Sequence, residues 1–217
     1  MSIGRLFHTD SMLFSCSIFL VLALSPFGTS AQLSATAPKE AAAPPAVYPR
    51  KISLAGVPNA GQISEMLFRG AQPGAAGLAE LKQLGITTIV DLRGGLDVAS
   101  ERKRAEALGF RFIDIPVSGW ALPSDEQVAQ FLSLVRDTHG ERIFVHCRFG
   151  GDRTGVMIAA YRIAESHWSV KQAIEEMHVF GFHNHWHPSM ESYVRKFPSI
   201  FASDPVFASL RTAPRLN

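Results

Sequence analysis

The run Val145-His146-Cys147-Arg148-Phe149-Gly150-Gly151-Asp152-Arg153-Thr154-Gly155 joins an apolar, β-type segment to a helix-type one. Five residues separate Cys147 from Arg153, and two of them are glycine. The backbone between them can curl until successive N–H groups point at one centre, the geometry of an anion-binding nest. A helix beginning near Thr154 would add unpaired N–H groups and the positive end of its dipole, which favour a bound phosphate and a thiolate. The pattern predicts a tetrahedral oxyanion cradle with a nucleophile at its base.

The flanking segments supply the scaffold. Arg142 to His146 reads as the strand that delivers Cys147, and Val156 to Ala164, apolar nearly all round, as a buried central helix. Upstream, apolar residues return at Met66 to Arg69 as a short strand, and Leu78, Leu81 and Leu84 mark one face of a helix ended by Gly85. Ile86 to Leu92 is a near-continuous β-branched run, as in a strand buried on both faces. Asp97 to Leu108 is charged and helical, and Phe110 to Val117 returns to strand, ending near Pro116. Ser124 and Gln127 form a capping box before the apolar face Val128, Phe131, Leu132 and Val135. Val170 to Val179 and Ser189 to Phe197 read as two further helices. Strands alternating with helices predict a single α/β domain with a central, mainly parallel sheet flanked by helices, and the ligand beyond the carboxyl ends of its strands.

His146-Cys147-Arg148-Phe149-Gly150-Gly151-Asp152-Arg153-Thr154-Gly155 resembles the HCxxGxxR[ST] signature of the protein tyrosine phosphatase superfamily, nearest to its small, atypical dual-specificity-like bacterial members. Leu67-Phe68-Arg69-Gly70-Ala71-Gln72-Pro73 and the segment Leu84 to Arg93 also resemble that group, so the likeness spans residues 60–200 or so. It implies a phosphotyrosine phosphatase-like fold and a cysteine-dependent phosphatase that needs neither metal nor cofactor. Its partners would be a phosphorylated protein, a peptide or a lipid head group.

On that resemblance Cys147 attacks phosphorus in line and forms a phosphocysteine that water hydrolyses. Arg153 holds two equatorial phosphoryl oxygens with its planar fork. His146 orders the loop, a core histidine being the alternative. Thr154 either bonds the departing sulfur or caps the following helix. Arg148, Phe149, Gly150 and Gly151 line the substrate site, with Arg148 and Phe149 at its rim.

The general acid is open. Dual-specificity members place an aspartate on the loop after the preceding strand, but here Val117-Ser118-Gly119-Trp120-Ala121-Leu122-Pro123 has no carboxylate. Asp152 resembles the aspartate in the CxxGxDR loops of myotubularin-like and some bacterial lipid-active phosphatases and is preferred. Asp125 and Asp114 are the alternatives. Trp120 is either a cleft wall or a core aromatic. His183-Asn184-His185-Trp186-His187 could present three imidazoles to a metal if extended; a surface turn anchored by Trp186 is the reading adopted.

Composition limits the rest. The 217 residues, 47% hydrophobic, suffice for one good core, and a formal charge of +2 without like-charge blocks gives no reason to expect nucleic acid. Residues 1–31 have the layout of a signal peptide, with an apolar run from Met12 to Phe27 and Thr29-Ser30-Ala31 after it. They predict export to the periplasm or medium with no membrane span after cleavage; a retained anchor is the alternative. Cleavage would remove Cys16 and leave Cys147 as the one thiol. Residues 32–50 read as a flexible linker, 51–205 as the phosphatase domain and 206–217 as a tail. A non-catalytic phosphate- or phosphopeptide-binding module is the alternative function.

Overall fold

The computed structural model describes residues 50–212. The expected signal peptide and nearly all of the expected linker lie outside them. Six strands form one sheet: β1 (Arg50–Lys51), β2 (Gly61–Gln62), β3 (Leu67–Ala71), β4 (Thr88–Asp91), β5 (Arg111–Asp114) and β6 (Ile143–Cys147), in the order β1-β2-β3-β6-β4-β5. β3, β6, β4 and β5 are mutually parallel, while β1 and β2 add an antiparallel edge. The helices are α1 (Ala75–Gln83), α2 (Leu96–Ala107), α3 (Asp125–Arg136), α4 (Asp152–Ala164), α5 (Val170–Val179), α6 (Pro188–Ser203) and α7 (Ala208–Thr212).

Strand side chains alternate between faces, and this places the chemistry. On β6, Ile143, Val145 and Cys147 join the core formed with α3, α4, α5 and α6, whereas Phe144 joins the opposite core of Phe68, Ile89 and Phe112 with α1 and α2. His146 therefore faces α2 and Cys147 faces α4. The sheet is covered on both faces, as the apolar run at 86–92 requires.

α3 begins with the expected capping box: the Ser124 hydroxyl accepts from Gln127 N–H while the Gln127 side chain accepts from Ser124 N–H at 2.8 Å. Its predicted face is buried in full. α4, covered on nearly every side, carries Arg162 inside the protein, where Glu176 of α5 receives it at 2.9 Å.

Several boundaries differ from expectation. β5 stops at Asp114, three residues short of the predicted end. α4 starts at Asp152 with Gly151 as N-cap, so the cradle closes two residues before Thr154. α6 continues through Pro198 to Ser203 because Ile200 and Phe201 pack on the core beyond it. The tail expected from residue 206 is instead structured to residue 212: Phe207 is wholly buried with its ring edge-on to Phe197 at 5.7 Å, and Leu210 is buried too. Among the described residues no helix is long and apolar enough to cross a membrane.

Candidate active site

Cys147 ends β6, is 2% exposed and is a free thiol. It shares a cleft of about 400 Å³ with Arg153 and Asp152, with Arg148, Phe149, Gly119 and Trp120 of the surrounding loops, and with His187. Two larger, more open hollows, one along Lys51 to Asn59 and one around Ile113 and Leu134, contain none of the predicted site residues.

The loop from Arg148 to Gly151 has the form expected of a cradle. Gly150 adopts φ +71°, and a Cβ there would lie 2.5 Å from the backbone of Gly70, so no other residue fits without moving β3 or the loop. A Cβ at Gly151 would meet Gly181 O at 2.7 Å. Among the described residues no acceptor takes the backbone N–H of Phe149, Gly150 or Gly151, and the first turn of α4 adds donors free at a helix start. These N–H groups are available to an anion. Arg148 and Phe149 are exposed at the rim, as expected.

Arg153, in that first turn, is anchored by Nη1 to the carbonyls of Val117 (3.1 Å) and Leu92 (3.4 Å), beyond the carboxyl ends of β5 and β4. The rest of its fork has no protein acceptor among the described residues. Thr154, the third residue of α4, is not the N-cap, and its buried hydroxyl has no hydrogen-bond partner among the described residues.

Beneath the loop is a residue whose role the sequence reading missed. Arg69 of β3 is fully buried, donates from Nη2 to Gly150 O and lies 4.0 Å from the Phe180 ring. Burial lowers its pKa to about 10, opposed by the charges of Glu176 and Cys147. It is therefore a fixed cation below the cradle at neutral pH.

His146 is wholly buried and belongs to a network on the α2 side. Its Nε2 faces Glu101 Oε1 at 3.1 Å, off the line a hydrogen bond requires. Glu101 Oε2 accepts from Arg93 at 2.6 Å and from Gln72 at 3.0 Å, and Arg93 also grips Asp91 at 2.6 Å. Burial opposes the charge on Arg93, but the two carboxylates outweigh it and raise its pKa. Asp91, Glu101 and His146 could present three ligand atoms to one metal, but Arg93 already supplies the cation there. His146 is thus both a core histidine and a tie between the nucleophile's strand and α2.

Of the three carboxylates considered as acid, only Asp152 lines the cleft. Asp114 pairs with Arg102. Asp125 accepts from Tyr193 Oη at 2.7 Å; burial first, and then this carboxylate, hold the phenol well above its ordinary pKa. Asp152 Oδ1 accepts from His183 N–H at 2.9 Å and faces His183 Nδ1 at 3.5 Å, while Oδ2 faces His187 Nε2 at 3.8 Å. Trp120 is 73% exposed and packs over the His187 ring at 5.3 Å, so it is a cleft wall. The turn at Asn184–Trp186 is not anchored by its tryptophan, which is 69% exposed. It folds back so that His183 and His187 reach Asp152 while His185 turns to Asn184 Oδ1.

The model of the family described as "DSP-PTPase phosphatase fused to NAD+ kinase" matches residues 54–195, which include the whole cleft. The chain belongs to that family. It is 28% identical over 121 residues to the dual specificity protein phosphatase TpbA of Pseudomonas aeruginosa, covering 56% of this chain and 54% of TpbA. The chain thus spans about half the length of that curated relative. The crystal structure of P. aeruginosa TpbA superposes with TM-score 0.63 and 22% identity over 77% of this chain and 99% of that one. The catalytic core of the PP-IP phosphatase Siw14 from S. cerevisiae superposes with TM-score 0.59 and 18% identity over 71% of this chain and 97% of that one. These likenesses bear out the expected α/β, phosphotyrosine phosphatase-like fold.

Proposed function

We propose that this protein is a cysteine-dependent phosphatase that hydrolyses phosphate monoesters through a phosphocysteine intermediate. The observation that carries this is the cradle itself: a free cysteine at the carboxyl end of β6, a glycine-shaped loop with unpaired N–H groups, and Arg153 in the first helical turn behind it. Membership of a phosphatase family supports it.

Cys147 Sγ attacks phosphorus, and the S–P bond forms as the ester P–O bond breaks. The loop N–H groups and Arg153 stabilise the charge on the equatorial oxygens, and the carbonyls of Leu92 and Val117 hold Arg153 in place so that little reorganisation is needed. Arg69, buried beneath the loop, donates to Gly150 O and so holds the cradle in shape under the nucleophile. In the second step the buried Thr154 hydroxyl, with no other partner among the described residues, serves the departing sulfur.

Aryl phosphates such as phosphotyrosine suit the cleft best, because the exposed rings of Trp120 and Phe149 offer flat apolar walls beside the cradle. A solved structure of TpbA holds pTyr, which is consistent with this choice. Phosphoserine, phosphothreonine and lipid head groups are the other substrates of the same chemistry. On the pattern of residues 1–31 we also propose export, to be checked by cell fractionation.

The test is phosphate release by the full chain from 4-nitrophenyl phosphate and from a phosphotyrosine peptide, with EDTA and a thiol reductant present. Turnover that survives EDTA and vanishes in Cys147→Ser supports the reading. Retention of phosphopeptide without release would indicate the binding module instead, a reading motivated by the loop at 117–123 lacking a carboxylate.

A further inference from the structure

A phosphatase of this kind must protonate the oxygen that leaves phosphorus, and within the proposed function the cleft limits which group can do so. Its ionisable side chains are Cys147, Arg148, Asp152, Arg153 and His187. The thiol is the nucleophile, and arginines do not release protons at neutral pH. Asp152 and His187 remain.

The surroundings of Asp152 make it an acceptor. Oδ1 takes the His183 amide hydrogen, and each oxygen also has an imidazole nitrogen within ion-pair distance. Between a carboxyl group and an imidazole the proton belongs on the imidazole, since the ordinary pKa values are about 3.9 and 6.5.

We propose that His187 is the proton donor to the leaving oxygen, and that Asp152 orients its imidazole and balances its charge. Several features fix the ring. His187 is the N-cap of α6, its N–H bonds His183 O at 3.0 Å, Pro188 sets the helix start, and the Trp120 ring packs against the imidazole at 5.3 Å. The 3.8 Å gap to Asp152 is longer than a hydrogen bond and is expected to close when substrate enters, as catalytic contacts often tighten in the complex.

The steps balance. As Sγ bonds phosphorus and the P–O bond breaks, the proton on Nδ1, the ring nitrogen that does not face Asp152, passes to the departing oxygen, leaving an alcohol or phenol and a neutral imidazole. That imidazole then takes a proton from the water whose oxygen attacks phosphorus. The S–P bond breaks, phosphate leaves, and the thiolate and imidazolium are restored.

The experiment compares kcat/KM on phenyl phosphate, a poor leaving group, and on 4-nitrophenyl phosphate, a good one, for the full chain and for His187→Gln, His187→Phe and Asp152→Asn. His187→Phe keeps a ring against Trp120 and so separates packing from proton transfer. Both His187 variants are expected to lose about 10²-fold or more on phenyl phosphate and less than about a tenth of that factor on 4-nitrophenyl phosphate. Asp152→Asn is expected to show the same selectivity to a smaller extent. Equal losses on both substrates, or a selective loss confined to Asp152→Asn, would overturn the assignment. Turnover persisting in Cys147→Ser would overturn the phosphatase reading itself, and so the two failures are distinguishable.

Discussion

Glu176→Ala should strike stability and the active site together. Glu176 on α5 is almost fully buried and accepts three hydrogen bonds from Arg162 on α4, at 2.9, 3.1 and 3.3 Å. It is also the largest of the charges that oppose the desolvation of Arg69. Removing one partner of a buried ion pair leaves an uncompensated charge and costs about 3–5 kcal/mol. For a domain of this size each kcal/mol moves Tm by about 2–4 °C, so thermal unfolding should shift down by roughly 6–20 °C. Arg162→Met/Glu176→Leu removes both charges and should recover much of that loss. Because Arg69 donates to Gly150 O, Glu176→Ala should also lower kcat/KM, measured well below Tm, more than Ile174→Ala does. Ile174 is buried on the same helix, and its truncation costs a similar ~2–5 kcal/mol without touching a charge. A shift in Tm below about 4 °C, or equal activity losses in Glu176→Ala and Ile174→Ala, would refute the reasoning.

Gly150→Ala puts a side chain at φ +71° and 2.5 Å from the Gly70 backbone. The left-handed conformation alone costs about 1–2 kcal/mol, and the displaced loop should cost about 10²-fold in kcat/KM, with Tm and rate checked on the same sample. Thr154→Val removes a buried hydroxyl that has no partner among the described residues; Tm should hold or rise, while a burst of product followed by slow turnover in stopped flow should reveal a slowed phosphocysteine hydrolysis. The raised pKa of Tyr193 contributes stability fully present below about pH 10, the ordinary phenol value. That contribution is lost at higher pH, as the unfolded phenol ionises while the native one stays protonated. Thermal denaturation from pH 8.5 to 10.5 should therefore slope down less in Tyr193→Phe than in the parent protein.

What the sequence made legible is what lies close together along it. Cys147, the loop glycines and Arg153 fall within seven consecutive positions, so their spacing alone implies a cradle, and the Ser124 and Gln127 cap is likewise local. What it hid are contacts closed by the fold: Arg69 lies 81 positions before Gly150, and Glu101 is 45 positions before His146. Glu101 did leave a trace, since Val98, Glu101 and Ala105 share the three-and-four spacing of a buried helical face, with a carboxylate where an apolar residue is expected. In a helix otherwise rich in charge that trace is easily read as solvent-facing. The histidine run failed for a different reason. Alternate spacing puts His183, His185 and His187 on one side only if the segment is extended, whereas it turns at Asn184–Trp186 and its N–H bond runs from His187 back to His183. A turn brings together residues four apart and turns the middle one away. The pattern that suggested three imidazoles for a metal therefore leaves two for one aspartate, and this arrangement points the search for the missing acid to His187 rather than to a loop carboxylate.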